Sequence, residues 1–447
     1  MVIDPSIFKA YDVRGTYPEQ INGDIAYQIG VALTHYLQPE SIAVGRDMRI
    51  SSDEIAENLI RGINDAGSDV VDLGLCSTDG LYYVVGKMGY DGGVMITASH
   101  NPRQYNGLKI CRERAEPLSG QEGLGQIRDM ILKNDDLTCS SSRGVSLKKD
   151  ISAEYADHCL SFIDIGKIKP YKIVIDAGNG MAGATLPPVL ERLPIEVTRL
   201  YFELDGTFPN HPASPIEPEN VVDLQEKIAE TGADFGVAFD GDADRMFLID
   251  KNGRQLGGDM VTALVAKSLL AKNPGETVLY NLICSHSVPE LIERTGGQAI
   301  RTRVGHALIK PLMKKHNAIF GGEHSGHFYF RDFWFADSGL IAFLVCLELI
   351  STEGKELHEM VSEIDPYVRS GEINSRVKSI PDRIAAVKEN FEGAKMDEED
   401  GLTAVLDDFW FNLRPSNTEP LLRLNIEAQN EAILKSRMDE LIEIIRG

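Results

Sequence analysis

The chain has 447 residues, of which 43% are hydrophobic and 25% charged, and its formal net charge is −23. This composition predicts a globular protein of about three domains. The negative charge argues against nucleic acid or an anionic membrane as partner, because both bind basic protein faces.

Neither a targeting segment nor a membrane span is expected. The first nine residues contain no basic segment followed by an apolar one, and the longest apolar run, Ile341–Ile350, is half a membrane span. The six cysteines form no CxxC pair, which predicts free, mostly buried thiols. We therefore expect a cytoplasmic protein without a disulfide framework or a zinc site.

Three segments share one plan, in which a short apolar strand leads through a Gly- or Ser-bearing loop into an amphipathic helix. Their strands are Ile42–Val44, Lys172–Ile175 and Thr277–Leu279. Capping boxes are predicted at Ser51 with Glu54 and at Ser287 with Glu290. The repeat predicts three α/β domains of similar build.

The last eighty residues alternate strands and helices differently and predict a smaller α+β domain. Polar stretches near residues 140–150, 251–253 and 365–366 mark the boundaries. The predicted domains are residues 1–147, 148–252, 253–366 and 367–447.

The stretch Thr97–Pro102 follows the apolar run Gly93–Ile96, which predicts a buried strand entering a tight loop. Ser99 is then expected to be exposed at the carboxyl end of the strand, where open α/β sheets bind ligands. With His100 beside it, Ser99 is a candidate nucleophile or phosphate carrier. The alternative is a serine that caps a helix or makes a turn.

Asp240, Asp242 and Asp244 alternate in a turn directly after the apolar run Phe235–Phe239. Converging carboxylates are what a hard divalent cation requires. An EF-hand loop is excluded because Arg245 and Lys251 stand where it needs Gly and Glu. The pattern favours Mg²⁺, with a phosphate oxygen completing the coordination shell.

Two further loops carry polar side chains suited to a phosphorylated sugar. In Gly321–His327, Glu323 and Ser325 point the same way on an extended segment and fit neighbouring sugar hydroxyls, although a metal site is the alternative. In Arg414–Pro420, an arginine with Ser, Asn and Thr between two prolines suits a phosphate, although an ordinary polar turn also fits. The basic residues available to the same cleft are Lys9, Arg14, Lys109, Arg245, His306, Lys310 and Arg423.

Together with the segment Lys9–Gly15, these loops resemble, in order and over essentially the whole chain, the α-D-phosphohexomutase superfamily and its phosphomannomutase/phosphoglucomutase branch. The resemblance implies three similar α/β domains with mixed sheets and a smaller C-terminal α+β domain around a central cleft. It also implies the interconversion of hexose 1-phosphate and hexose 6-phosphate through a phosphoserine and a hexose 1,6-bisphosphate, which also acts as activator. A phosphorylated hexose is thus the expected partner, and no oligomeric state is implied.

The resemblance also implies residue roles. Ser99 carries the phosphate, which is bound to Mg²⁺ held by the three aspartates. Arg245 and Lys109 stabilise the transferred charge, and Lys109 or His100 serves as general acid/base, which for Lys109 requires a pKa lowered toward neutrality by burial among cations. The residues implied to contact the substrate are Tyr11, Arg14, His306, Glu323, Ser325, His327, Arg414, Ser416, Asn417, Thr418 and Arg423.

Two features depart from the family pattern. Pro311 is expected to distort a helix that begins at Gly305, and the loop Ile283–His286 has no Lys or Arg where some relatives supply a basic residue.

Three other functions stay open. One is a phosphoglucosamine mutase, although His324 favours mannose or glucose. Another is a phosphatase with Asp240 as nucleophile, which would leave the Ser99 loop without a role. The third is a noncatalytic sugar-phosphate binding protein, whose Ser99 would carry no phosphate.

Overall fold

The computed structural model describes residues 3–120, 123–133, 137, 139–415 and 421–447. Its strands form four sheets, three mixed and one antiparallel, so the predicted fold class is confirmed.

The first unit is built on a seven-stranded sheet in the order β1-β5-β4-β2-β3-β7, with β6 beside β5. Strands β2, β3, β4 and β7 are parallel, whereas β1 and β5 run antiparallel to their neighbours. Its elements are β1 (Val13–Thr16), α1 (Gly23–Leu37), β2 (Ser41–Arg46), α2 (Ser52–Asp65), β3 (Asp69–Leu75), α3 (Thr78–Met88), β4 (Gly92–Ile96), β5 (Tyr105–Arg112), β6 (Glu116–Pro117), α4 (Leu124–Lys133) and β7 (Ser146–Lys148).

The second unit has a four-stranded sheet in the order β11-β10-β8-β9, parallel except for β11. Its elements are α5 (Ser152–Leu160), β8 (Lys172–Asp176), α6 (Ala182–Thr185), α7 (Pro187–Leu190), β9 (Glu196–Leu200), α8 (Val222–Thr231), β10 (Phe235–Phe239) and β11 (Met246–Asp250).

The third unit has a five-stranded sheet in the order β13-β12-β14-β15-β16, of which the first three strands are parallel. Its elements are α9 (Gly258–Lys272), β12 (Thr277–Asn281), α10 (Ser287–Arg294), β13 (Gln298–Thr302), α11 (His306–His316), β14 (Phe320–Gly322), β15 (Phe328–Phe330), β16 (Ala336–Asp337), α12 (Gly339–Glu353) and α13 (Leu357–Ile364).

The fourth unit is an antiparallel sheet in the order β17-β22-β21-β20-β19, with β18 also on β22. Its elements are β17 (Val368–Arg369), β18 (Ile373–Arg376), α14 (Ile380–Asn390), β19 (Lys395–Asp397), β20 (Leu402–Val405), β21 (Phe409–Pro415), β22 (Leu421–Ala428) and α15 (Glu431–Arg446).

One hydrophobic core extends through the first three units, whereas the fourth unit has a core of its own around Phe411 and Leu441. The apolar run Ile341–Ile350 lies in α12 and is buried in the shared core. Among the described residues, no helix is long and apolar enough to cross a membrane. Five of the cysteines are buried thiols and Cys139 is exposed, as expected.

Two local predictions are wrong. Ser51 makes no capping hydrogen bond for α2 and instead accepts one from Asn106, at 2.8 Å. Ser287 lies inside α10 rather than at its N-cap. Pro311 lies within α11, which continues past it to His316 and packs through Ile309 and Met313.

Candidate active site

Ser99 lies just past β4, in the left-handed region of backbone space (φ 50°). Its hydroxyl donates to Asp240 Oδ2 at 2.7 Å and accepts from Arg245 Nη2 at 3.0 Å. Only 4% of the surface of Ser99 is accessible, so the prediction of an exposed hydroxyl is wrong. Asp240 and Arg245 of the second unit cover it. Asp240 follows β10 and Arg245 precedes β11, so the turn between these strands brings the aspartate loop against the serine loop.

The serine loop is held from behind by the buried guanidinium of Arg49. This group donates to the carbonyl oxygens of Ser99 and Asn101, both at 2.7 Å, and to those of Pro102 and Tyr105, both at 3.0 Å. Its Nε bonds Asp47 Oδ2 at 3.1 Å. Arg49 therefore ties four carbonyls of the serine loop and the start of β5 to one buried side chain.

The three aspartates form one buried cluster, whose carboxylate oxygens lie within 4.8 Å of one another. Ala243, between the second and third, has φ 64°, which lets the turn close around them. Asp242 Oδ1 and Asp244 Oδ1 are buried without a hydrogen-bond partner. Orphaned carboxylate oxygens in a hard-oxygen set fit a divalent cation.

Lys109 on β5 joins the first unit to the second. Its Nζ lies 2.6 Å from Asp242 Oδ2 and 2.5 Å from Asp244 Oδ2, and Thr78 at the start of α3 donates to the same Asp242 oxygen at 2.6 Å. Burial by itself lowers the pKa of Lys109. The two carboxylates raise the pKa by more than burial lowers it, so it lies well above its ordinary value. Lys109 is thus buried among carboxylates rather than among the cations that its role as general base requires.

Arg245 and His100 complete the ring around Ser99. Arg245 Nε donates to Asp240 Oδ2 at 2.9 Å, and its Nη2 also contacts His100 Nδ1. The charge of Arg245, together with burial, holds the pKa of His100 well below its usual range. His100 Nδ1 lies 3.3 Å from Ser99 Oγ, so both His100 and Arg245 contact the serine hydroxyl.

The loop between β14 and β15 meets this cluster through a backbone bridge between Arg245 and His327. Glu323 is buried: Oε1 accepts from Gly305 N at 3.1 Å and Oε2 from Tyr329 Oη at 2.7 Å, and burial raises its pKa. The Ser325 hydroxyl lies 3.0 Å from His327 Nδ1. Burial lowers the pKa of His327 to about 4, so its imidazole is neutral at pH 7.

The N-terminal residues reach two of these loops. Arg14 Nη1 donates to Asn101 Oδ1 in the serine loop at 2.5 Å. The Tyr11 hydroxyl lies against Gly305, where an added Cβ would come within 3.1 Å of it. Gly305 directly precedes α11, so Tyr11 lies at the start of that helix.

In the fourth unit, Arg414 on β21 stands opposite Arg423 on β22. Glu372 lies between the two guanidinium groups, 3.2 Å from Arg414 Nη2 and 3.3 Å from Arg423 Nη1. The predicted phosphate contacts Ser416, Asn417 and Thr418 lie outside the described residues.

The motif loops alone did not identify five residues that support the site: Asp47, Arg49, Thr78, Tyr329 and Glu372. Asp47 and Arg49 lie in the segment that joins β2 to α2. Its buried Asp-x-Arg pair would have been the available clue, because a buried arginine needs several acceptors.

Four domain families match the chain in succession. They are described as phosphoglucomutase/phosphomannomutase alpha/beta/alpha domain I at residues 5–137, domain II at 153–253, domain III at 257–367, and C-terminal domain at 372–444.

Relatives match along their whole length. The chain is 40% identical over 444 residues to phosphohexose mutases of Xanthomonas campestris pv. campestris, covering 98% of this chain and 99% of the relative. It is 38% identical over 448 residues to a phosphomannomutase of Escherichia coli K12, with 98% of each covered. A crystal structure of a phosphoglucomutase/phosphomannomutase family protein from Burkholderia thailandensis superposes with a TM-score of 0.90 at 31% identity, covering 99% of this chain and 98% of the other. The chain therefore belongs to the phosphoglucomutase/phosphomannomutase branch of the α-D-phosphohexomutase superfamily.

Proposed function

We propose that this enzyme interconverts the 1- and 6-phosphates of mannose and glucose through a phosphoserine at Ser99 and a hexose 1,6-bisphosphate. The observation that carries the proposal is the setting of Ser99, whose hydroxyl bonds both Asp240 and Arg245 beside a buried triple-aspartate cluster. A serine that merely capped a turn would need neither partner. A phosphatase with Asp240 as nucleophile would not need the Ser99 hydroxyl bound to that aspartate.

Asp240, Asp242, Asp244 and the Ser99 phosphate would hold Mg²⁺. When bound, the cation neutralises charge on the phosphoryl group. Removing the metal with EDTA should abolish activity and leave the fold intact, because Lys109 and Arg245 already balance most of the carboxylate charge. Activity assayed with a series of divalent cations, alongside thermal melts, checks both statements.

In the transfer step, a sugar hydroxyl oxygen forms a bond to phosphorus while the bond from phosphorus to Ser99 Oγ breaks. The hydroxyl proton passes to a general base, and a proton returns to Ser99. Arg245 and Lys109 supply positive charge beside the transferred group, which is most of what phosphoryl transfer requires. Lys109 and His100 are the two candidates for the acid/base role, and pH–rate profiles of Lys109→Met and His100→Gln distinguish them.

Both substrate orientations have to fit the cleft. Glu323 and Ser325 would bind adjacent sugar hydroxyls, with Tyr11, Arg14, His306 and His327 as further contacts. Arg414, Ser416, Asn417, Thr418 and Arg423 would bind whichever phosphate is distal to Ser99. We also retain 1–147, 148–252, 253–366 and 367–447 as the domains, the last of which would close over the substrate and exclude water.

The deciding experiment is ³¹P NMR of the enzyme with Mg²⁺, a trace of glucose 1,6-bisphosphate and, in separate tubes, mannose 1-phosphate, glucose 1-phosphate and glucosamine 6-phosphate. We expect isomerisation of the first two, a lag without the bisphosphate, and no reaction with Ser99→Ala. A preference for glucosamine would assign a phosphoglucosamine mutase instead. Release of inorganic phosphate without isomerisation would contradict the proposal.

A further inference from the structure

Glu372 binds both arginines that are proposed to hold the distal phosphate. It lies two residues before Asn374, which stands opposite Arg423 on β22, and Arg423 in turn stands opposite Arg414 on β21. All these side chains lie on one face of the sheet, because opposed residues of antiparallel strands and residues two apart share a face. One carboxylate oxygen contacts Arg414 and the other contacts Arg423.

We propose that the Glu372 carboxylate competes with the substrate's distal phosphate for Arg414 and Arg423. Glu372 occupies the two arginines when no phosphate is bound there, and it thereby speeds the release of phosphate. The inference rests on the proposed function, in which the bisphosphate has to leave these arginines and return by its other end in every cycle.

The charges at this site support competition rather than alignment alone. Arg414 and Arg423 carry two positive charges and Glu372 one negative charge, so a phosphate dianion meets a site whose net charge is reduced to +1. The Glu372 carboxylate presents two oxygens to two guanidinium groups, which is the arrangement that a phosphate would offer. A phosphate and this carboxylate cannot bind the same N–H donors at once.

Glu372 also has room to move. About a third of its side chain is exposed, whereas Arg414 is buried to about nine tenths. Arg414 Nε is buried without a hydrogen-bond partner, so this guanidinium retains a donor beyond those that Glu372 uses. The arginine is therefore held in place by the sheet, and the carboxylate is the partner that can swing away.

The test uses Glu372→Gln, which keeps the shape and removes the charge, and Glu372→Asp, which keeps the charge. The control is Glu392→Gln, which makes the same charge change at an exposed position after α14. Inorganic phosphate binding is measured by calorimetry on each variant in a Ser99→Ala background, so this readout needs no catalysis. KM, kcat and the bisphosphate concentration that gives half-maximal activation are measured with Ser99 present.

For Glu372→Gln we expect about tenfold tighter phosphate binding, a KM lowered by a similar factor and a kcat reduced several-fold by slow release. Less activator bisphosphate should be needed, because the intermediate escapes less often. Glu392→Gln should stay close to the parent protein, and Glu372→Asp, which keeps the charge on a shorter side chain, should lie between the parent and Glu372→Gln.

Weaker phosphate binding in Glu372→Gln, with a raised KM, would mean that Glu372 only aligns the arginines and would overturn the proposal, as would unchanged phosphate binding. An enzyme that isomerises no hexose phosphate would refute the proposed function instead. The two failures are distinguishable because the calorimetry does not depend on turnover.

Discussion

At the residue scale, the conformation of Ser99 depends on how its loop is held. A residue with φ 50° is strained unless its surroundings fix the backbone, and here Arg49 fixes it through four carbonyl oxygens. The charge of the guanidinium is matched by Asp47, which also accepts hydrogen bonds from Arg49 N and Ser52 Oγ. Arg49 is thus a positioning residue for the serine rather than a group that touches the substrate.

Arg49→Lys should lower kcat on the order of a hundredfold, with little change in KM, because an ammonium cannot satisfy four carbonyls arranged around a planar fork. The control is Arg46→Lys at the end of β2, where Arg46 pairs with Asp53 nearer the surface, at 2.5 Å, and should change kcat less than twofold. Steady-state kinetics and the fraction of phosphorylated Ser99 by mass spectrometry measure both. Equal kcat values for the two variants would show that Arg49 does not position the loop.

The residues that could be identified from the sequence are those in short local motifs. Asp240, Asp242 and Asp244 lie within five positions, so their convergence follows from one turn. Arg49 acts on residues fifty positions away and Glu372 on residues more than forty away, so their partners depend on sheet order. The environment of Lys109 was misjudged for the same reason, since β5 brings it to carboxylates of another unit.

At the element scale, α3 joins the first unit to the third. Gly86 in α3 lies against the indole of Trp334, and a Cβ there would come 2.3 Å from Trp334 Cδ2. Trp334 also stacks on His158 of α5, with ring centroids 5.4 Å apart. The missing Cβ at residue 86 is therefore what allows α3, α5 and the segment after β15 to meet.

Gly86→Ala should destabilise the protein by about 1–3 kcal/mol through overpacking, despite the better helix propensity of alanine. Gly393→Ala is the matched control, because nothing lies within 4 Å of its added Cβ and no left-handed φ is required there. Thermal melts should separate the two variants by several degrees. If the contact between residue 86 and Trp334 causes the loss of stability, Gly86→Ala should cost less in a Trp334→Leu background than in the parent. Losses that simply add in the double variant would show that this contact is not the cause.

Most strands and helices of the repeat could be predicted, because apolar runs bounded by Gly and polar loops are local features. The capping boxes at Ser51 and Ser287 were predicted but do not form, because each serine has a competing partner in the folded chain. Ser51 bonds Asn106, and Ser287 approaches Asp365 at 3.3 Å. Glu54, the other half of one expected box, instead accepts from Gly23 N at 2.9 Å.

At the scale of the whole molecule, a buried carboxyl connects three units. Asp79 of the first unit accepts from Ser77 and, at 2.6 Å, from Ser338 of the third, and Tyr155 of the second lies near enough to lower its pKa. Burial raises the pKa of Asp79 from 3.8 to about 6. The folded protein therefore binds this proton more tightly than the unfolded chain does.

Because the folded pKa is the higher one, the contribution of Asp79 to stability falls as the pH rises from about 4 to about 6 and stays constant above that. The change should be about 2–3 kcal/mol. Asp79→Asn removes this pH dependence. The melting temperature of the variant should therefore rise relative to that of the parent between about pH 4 and about pH 6. A pH-independent difference would mean that Asp79 ionises as it does in the unfolded chain.

The position of the fourth unit depends on one arginine. Arg369 Nη2 donates to Asp365 Oδ1 at 2.7 Å and its Nε donates to Glu427 Oε2 at 2.9 Å, while Asp259 of the third unit lies 3.6 Å from the same nitrogen. All three carboxylates are almost fully buried. Arg369 is thus the cation that allows the linker, the third unit and the fourth unit to pack together.

Arg369→Met should leave the buried Asp259 and Glu427 without their shared cation, although Arg254 still lies 3.2 Å from Asp365 Oδ2. Truncating one partner of a buried ionic cluster leaves uncompensated charge. We expect a fourth unit that stands further from the third, a larger radius of gyration by small-angle scattering, and a KM for mannose 1-phosphate raised about tenfold as Arg414 and Arg423 move from the cleft. Arg376→Met, at an exposed position on β18, is the control and should change neither quantity. If Arg369→Met keeps both the parent's KM and its radius, the fourth unit is positioned by other contacts, such as Arg301 with Asp397 and Thr403.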